Sequence, residues 1–204
     1  MGGYDVDFSL TVFQKQIQET VRALSSKYDL EYWREKDRTG EYPWEFVKEL
    51  AEGGWLGAII PEEYGGQGMG IMEASLILHE VAASGAGTSG ASAVHFYMFP
   101  PMPIIKYGSE QMKRKYLPAI ARGELLMAFG VTEPNAGSDT SRISTRAEKR
   151  GQKWVINGQK VWSTNAQNAQ KMLLLTRTSP RDDKRPFDGM TLFFVDLDRT
   201  HCTI

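Results

Sequence analysis

The pattern of apolar positions changes character near residue 125. Before it, Phe13, Ile17, Val21, Leu24 and Tyr28 follow at steps of four, four, three and four, one stripe of an amphipathic helix. Thr11 and Gln14 supply a capping box at its start: the Thr11 hydroxyl accepts from the Gln14 amide, and the Gln14 side chain reaches back. A second helix opens at Pro43, whose missing N–H costs nothing in a first turn. It turns Val47, Leu50 and Ala51 to the core and stops at Gly53-Gly54. After the turn-rich stretch Pro61 to Gly70, the residues Met72, Leu76, His79, Glu80 and Ala83 predict a third helix. Ser109 caps a fourth, which runs through Met112, Tyr116 and Ile120 to Gly123.

Past Leu125 the signal is extended. Ile143 to Arg150 and Lys153 to Ile156 read as strands joined by a turn at Gly151. Asn157-Gly158 is a strong hairpin signal, because both central residues of a type I′ turn take positive φ. Gln159 to Thr164 is therefore expected to fold back on Lys153 to Ile156. Met172 to Thr178 and Met190 to Leu197 add two strands around a polar loop containing Pro180 and Pro186. No internal repeat or low-complexity tract interrupts the chain. The fold class this predicts is α+β multidomain: an α-helical bundle domain over 1–124, then a β domain over 125–204.

Composition narrows the function more by exclusion than by direction. Hydrophobic residues make up 41% and charged residues 24% of the 204, which is ordinary globular material. A net charge of -1 gives no electrostatic footprint for nucleic acid or an anionic membrane, so neither is expected as a partner. Cys202 is the only cysteine, which rules out an internal disulfide and suits a reducing compartment. Met1 to Leu10 lacks a basic and an apolar signal region, and Val6 breaks the myristoylation pattern that Gly2 opens. The longest apolar run, Leu125 to Val131, falls far short of a membrane span. A cytoplasmic protein is the expectation.

Several familiar chemistries lack their signatures. Gly85 to Gly90 matches G-x-G-x-x-G, but that string marks a dinucleotide site only between a strand and a helix. A helix precedes it here, so a small-residue helix junction is the better account. His79, His95 and His201 are too scattered for a local metal pattern, and no metal site is expected. His79 reads as a satisfied core or interface residue. No G-x-S-x-G elbow is present.

Two segments carry chemistry. Phe129 to Asp139, FGVTEPNAGSD, runs from an extended stretch into a turn with Pro134, Asn135 and Gly137, where exposed amides and the Ser138 hydroxyl can cradle a phosphate. Read blandly, it is an ordinary strand-to-loop turn. Asn157 to Asn165, NGQKVWSTN, sets Trp162 beside the hydroxyls of Ser163 and Thr164, a stacking face with donors and acceptors suited to a planar heterocycle. A core tryptophan on a sheet is the competing account.

Taken with PEEYGG at Pro61 to Gly66, the motifs VTEPNAGSD at Val131 to Asp139 and INGQKVWSTN at Ile156 to Asn165 resemble the acyl-CoA dehydrogenase family. The likeness extends from the first helix to the end of the chain. It implies a helical domain, then a β-barrel domain that is incomplete here, then a carboxy-terminal four-helix bundle absent from these residues. FAD is the implied cofactor. By family likeness Phe129, Val131 and Thr132 lie along the flavin ring, with Thr132 at its pyrimidine edge. Gly137 and Ser138 approach the pyrophosphate, and Ser138 also binds the CoA part of the substrate. Trp162 packs beside the isoalloxazine, and Ser163 and Thr164 bond it, Thr164 near N5. Aligned through Met102-Pro103-Ile104, the residues Ser92, His95 and Phe99 fall on the helix closing the acyl cavity. Phe129 stands where relatives often carry Tyr, and Ser163 where they often carry Ile.

The implied reaction is α,β-dehydrogenation of an acyl-CoA, with hydride passing to the flavin and electrons onward to electron-transfer flavoprotein. The family's base is a Glu in the bundle, beyond Ile204, so no catalytic residue is assigned within the chain and activity of residues 1–204 alone is not expected. The complete protein is expected to be a homo-oligomer. Either a fragment or a second chain that completes the fold accounts for this. An acyl-CoA oxidase, a flavin monooxygenase, and a non-catalytic module that binds a partner subunit are the competing functions.

Overall fold

The structure is a computed structural model that describes residues 7–204; Gly2 and Val6, read above for lipidation, lie outside the described residues. The chain folds as two compact units that divide between Glu124 and Leu125.

The first unit is helical: α1 Val12–Ser25, α2 Leu30–Thr39, α3 Trp44–Glu52, α4 Ile71–Val81, α5 Gly87–Met98, α6 Met102–Tyr107 and α7 Glu110–Ala121. The Thr11 capping box forms as expected, with both of its bonds present. Ile17 and Val21 are buried, but Phe13 is exposed and Tyr28 lies past the helix end. Gly53 and Gly54 end α3, and Ser109 caps α7 by accepting from the Met112 amide.

Three departures follow from how the helices pack. The buried face of α4 is Ala74, Ile77, Glu80 and Val81, whereas Met72 is exposed. Of the expected stripe Glu80 is buried, whereas Met72, His79 and Ala83 are exposed, because the buried face runs through Ala74, Ile77 and Val81. The His79 side chain is 68% exposed, so it does not sit in the core of this unit, one of the two places expected for it. The apolar spacing does not announce α2, α5 or α6; of these only α5, which carries Ser92 and His95 and ends at Phe99, was implied by the resemblance. Almost all of α2 is polar, and Trp33 is its one buried residue. The start of α5 is Gly, Thr and Ser, but Gly90 lies so close to Trp33 that a β-carbon there would sit 3.0 Å from the indole Cη2. Gly90 is packing surface, while Gly87, Thr88 and Ser89 are exposed. The junction read at Gly85 to Gly90 is a π-turn over Ala82–Ala86 between α4 and α5, with Gly85 at φ 100°. Among the described residues no strand precedes it, which removes the dinucleotide-loop geometry.

The second unit is a five-stranded mixed sheet: β1 Met127–Gly130, β2 Arg146–Arg150, β3 Lys153–Asn157, β4 Lys171–Arg177 and β5 Met190–Asp196. β2 and β3 are antiparallel around Gly151, as the pattern predicts. β4 and β5 pair antiparallel along their full length, from Lys171 opposite Asp196 to Arg177 opposite Met190. β1 lies parallel to β4, with Phe129 opposite Leu173, and β2 joins the same strand at Arg177. Local alternation cannot announce that parallel pairing.

The Asn157-Gly158 hairpin does not form, which corrects the expectation above. β3 pairs only with β2, and Asn157 does not take positive φ. Gly158 serves a different purpose: a β-carbon there would stand 2.6 Å from the Thr145 Cα. The glycine lets the chain cross close over Thr145 and leave the sheet, so Gln159 to Thr164 becomes loop.

Candidate functional site

The first chemistry-bearing segment begins in the core of the second unit. Met127 and Ala128 are buried and Phe129 half-buried, and a β-carbon on Gly130 would meet the Met172 sulfur at 2.8 Å. Beyond Gly130 the strand ladder ends, yet Val131 and Thr132 stay fixed. The Val131 carbonyl accepts from the Lys160 ammonium at 2.9 Å, and the Thr132 carbonyl accepts from the Val161 amide at 2.9 Å. Glu133 and Ala136 exchange reciprocal backbone bonds of 3.0 and 3.1 Å, which puts Pro134 and Asn135 at an exposed turn tip.

Gly137 and Ser138 follow this turn, both exposed, and a side chain at Gly137 would meet nothing within 4 Å. Gly137 does not take a left-handed φ, so the open approach comes from its missing side chain. Asp139 then caps the short turn Thr140–Arg142, accepting from the Ser141 amide at 3.2 Å and its hydroxyl at 2.6 Å. These bonds hold the Asp139 carboxyl below its usual range.

Glu133 is the polar centre of the unit. Its Oε2 accepts from the Ser144 amide at 2.6 Å and the Ser144 hydroxyl at 2.7 Å. Its Oε1 accepts from the Thr145 amide and the Lys160 ammonium, both at 2.9 Å. The two side chains of the pair are 3% and 7% exposed. Burial works to raise the Glu133 pKa, but bonds from Thr145, Ser144 and Lys160 overcome it and hold the carboxyl at about 2. For Lys160 the balance is reversed, and lost solvation outweighs Glu133 and pulls the ammonium below its ordinary value. The glutamate has more donors than the lysine has acceptors.

The second segment leaves Lys160 and Val161 as a loop with two left-handed non-glycine residues, Trp162 at φ 58° and Asn165 at φ 62°. Such conformations cost about 1–3 kcal/mol each and persist only where the surroundings impose them. The loop is closed by its own backbone: the Thr164 amide donates to Trp162 at 3.0 Å, the Ala166 amide to Ser163 at 3.1 Å, and the Ala169 amide to Asn165 at 2.9 Å. Arg199 donates to the Ala166 carbonyl at 2.8 Å. Trp162 is 88% exposed, which overturns the core-tryptophan account. On either side of Thr164, Ser163 Oγ and Asn165 Nδ2 are buried without a protein hydrogen-bond partner.

Val131 and Thr132 are thus tied by side-chain and backbone bonds to the stem of the loop carrying Trp162, Ser163 and Thr164, Phe129 lies on β1 opposite Leu173, and Gly137 and Ser138 sit on the turn that continues from Glu133. Asn165 and the pair Glu133–Lys160 were missed. Twenty-seven residues separate the pair, with no local spacing to connect them. Ser92, His95 and Phe99 belong to the helical unit, where the His95 ring stacks on Phe99 at 5.3 Å and burial lowers its pKa. No helix among the described residues is long and apolar enough to cross a membrane.

Residues 11–124 match the family described as acyl-CoA dehydrogenase, N-terminal domain, and residues 128–204 match its middle domain. The chain is 36% identical over 178 residues to acyl-CoA dehydrogenase FadE12 of Mycobacterium tuberculosis strain H37Rv, covering 85% of this chain and 44% of that protein. It is 35% identical over 178 residues to the probable acyl-CoA dehydrogenase YngJ of Bacillus subtilis strain 168, covering 87% and 47%. The structure of a glutaryl-coenzyme A dehydrogenase with glutaryl-CoA superposes with a TM-score of 0.81 at 33% identity, over 94% of this chain and 48% of that one. The chain therefore spans about half the length of the relatives it matches. With a helical unit and a mixed-sheet unit that each match a domain of one family, in that family's order, the chain belongs to the acyl-CoA dehydrogenases.

Proposed function

We propose that this chain is the flavin-facing part of an FAD-dependent enzyme that dehydrogenates acyl-CoA thioesters between the α and β carbons. The observation that carries the reading is the loop from Trp162 to Asn165. It presents an exposed indole on a left-handed backbone beside two buried polar atoms, Ser163 Oγ and Asn165 Nδ2, that no protein group satisfies. The exposed indole and the exposed Thr164 hydroxyl close to it suit a planar ring with polar edges.

FAD is the cofactor that fits. Phe129, Val131, Thr132, Trp162, Ser163 and Thr164 would hold its ring, and Gly137 and Ser138 its pyrophosphate. When bound, FAD supplies the hydride acceptor, and the protein supplies orientation and electrostatics. Proton removal needs a base with a free lone pair and a pKa suited to the step, and neither acidic side chain of the two segments meets both needs, since both carboxyls are held below their usual range. Glu133 accepts four hydrogen bonds, and Asp139 caps a turn. We assign the base to a carboxylate outside residues 1–204. The glutaryl-CoA complex of a relative supports an acyl-CoA substrate, with Ser138 at the CoA portion. Electron-transfer flavoprotein as acceptor, a homo-oligomeric assembly, a role in β-oxidation and a cytoplasmic location complete the reading.

FAD titration followed by quenching of flavin fluorescence tests it. Trp162→Ala is expected to weaken binding roughly tenfold, through the lost stacking face. Thr164→Val, which swaps a hydroxyl for a methyl, is expected to cost about 0.5–1.5 kcal/mol. Wild-type affinity in both variants, or no binding by the parent protein, would sink the proposal.

A further inference from the structure

Lys160 and Val161 are consecutive residues that bond two consecutive carbonyls, those of Val131 and Thr132. Neither stretch belongs to a strand ladder: β1 has ended at Gly130 and β3 at Asn157. Among the described residues, a lysine side chain and one amide therefore set the chain after β3 against the chain after β1. Glu133 fixes the lysine and, through Ser144 and Thr145, ties both stretches to the lead-in of β2. Gly158, which passes close over Thr145, delivers Lys160 to the same node.

We propose that Glu133 and Lys160 are a positioning pair that sets the register between the Val131–Thr132 segment and the Trp162–Thr164 loop, so that both present their flavin-facing groups to one ring. The proposal rests on the flavin reading above. Neither residue touches the ring; each acts through the backbone it holds. A buried ion pair is weak evidence of stability, because desolvation offsets its attraction, and fixing one geometry among alternatives is a better-attested use. A hairpin would have set the register by a ladder; the side-chain node replaces it and leaves the loop free to adopt the left-handed residues at 162 and 165.

The test compares the wild type with Lys160→Met and Lys160→Arg. Methionine keeps the apolar stem and leaves Glu133 three other donors, so the fold is expected to survive. In the ligand-free protein, hydrogen exchange at the Val161 amide should quicken at least about tenfold relative to the amides of β4 and β5. FAD affinity should fall about tenfold, the visible flavin band should shift, and Lys160→Arg should recover part of both. If Lys160→Met does not fold, Glu133→Gln, which keeps the volume and an acceptor oxygen, is read by the same measurements. The proposal is overturned if Val161 keeps its relative protection, or loses it while FAD affinity and band stay at wild-type values. A wild-type protein that takes up no FAD removes the functional reading instead, and Val161 exchange alone then upholds or removes the register.

Discussion

Each unit buries one glutamate, and the two are treated differently. In the helical unit Glu80 is 1% exposed, but its partner Arg22 is 63% exposed and reaches in from α1 with bonds of 2.8 and 3.1 Å. Gln18 adds a bond at 2.9 Å, so every strong donor to Glu80 is a long side chain from the surface of a neighbouring helix. In the sheet unit Glu133 is gripped by two backbone amides, a hydroxyl and a lysine that is itself buried. The Arg22 guanidinium stays mostly in water and loses little solvation, so Glu80 works as an adaptable clamp between α1 and α4. The Glu133 node has no long surface side chain among its partners: Lys160 is buried, and although Ser144 is exposed, its amide and hydroxyl are held close to the backbone. The first arrangement tolerates small shifts, whereas the second specifies a geometry.

The comparison breaks most visibly at Glu133. Glu133→Ala strands a buried ammonium and two amides, and the expected loss is about 3–5 kcal/mol, read from urea unfolding of the sheet unit. An equal loss from Glu80→Ala would erase the distinction. Acid titration is the next lever. The Glu133 pKa is lowered from 4.5 to about 2, so its contribution is whole above pH 4.5 and fades as pH falls toward 2. Glu80 is lowered too, through Arg22 first, with the same sign. Unfolding midpoints between pH 5 and about 2 should fall in the parent protein and stay flatter in Glu133→Gln. Arg22→Met leaves Glu80 with Gln18 and His79, and thermal melting should show a smaller drop in midpoint than Glu133→Ala does. His79→Ala is the smallest: the ring is 68% exposed, 3.3 Å from Glu80, and a change within about 0.5 kcal/mol is expected.

What the sequence made legible follows the range of the interactions involved. Thr11 with Gln14, Ser109 with Met112, and the Gly151 turn are local, and each formed as its spacing predicts. On α4 the burial of Glu80 fits the helical spacing, but Met72 and His79 fit it equally well and are exposed, because the face that packs is set by neighbouring helices. The small residues at Gly85 to Gly90 marked the junction between α4 and α5, but not that Gly90 lies inside α5 against the indole of Trp33, which is distant in sequence. At Asn157-Gly158 the residues fit a turn, but Gly158 is required by Thr145. Of the candidate site, its two segments and their order were readable; the ion pair that joins them, and the left-handed backbone that exposes Trp162, depend on tertiary context.

That backbone has a bearing on how the protein would respond to selection. Glycine occupies left-handed φ without penalty, so Trp162→Gly and Asn165→Gly are among the cheapest routes to a higher melting temperature in this unit. Both erase groups that face the proposed ligand. A library screened for heat resistance alone would drift toward glycine at these two sites, and its most robust members would be its poorest flavin binders.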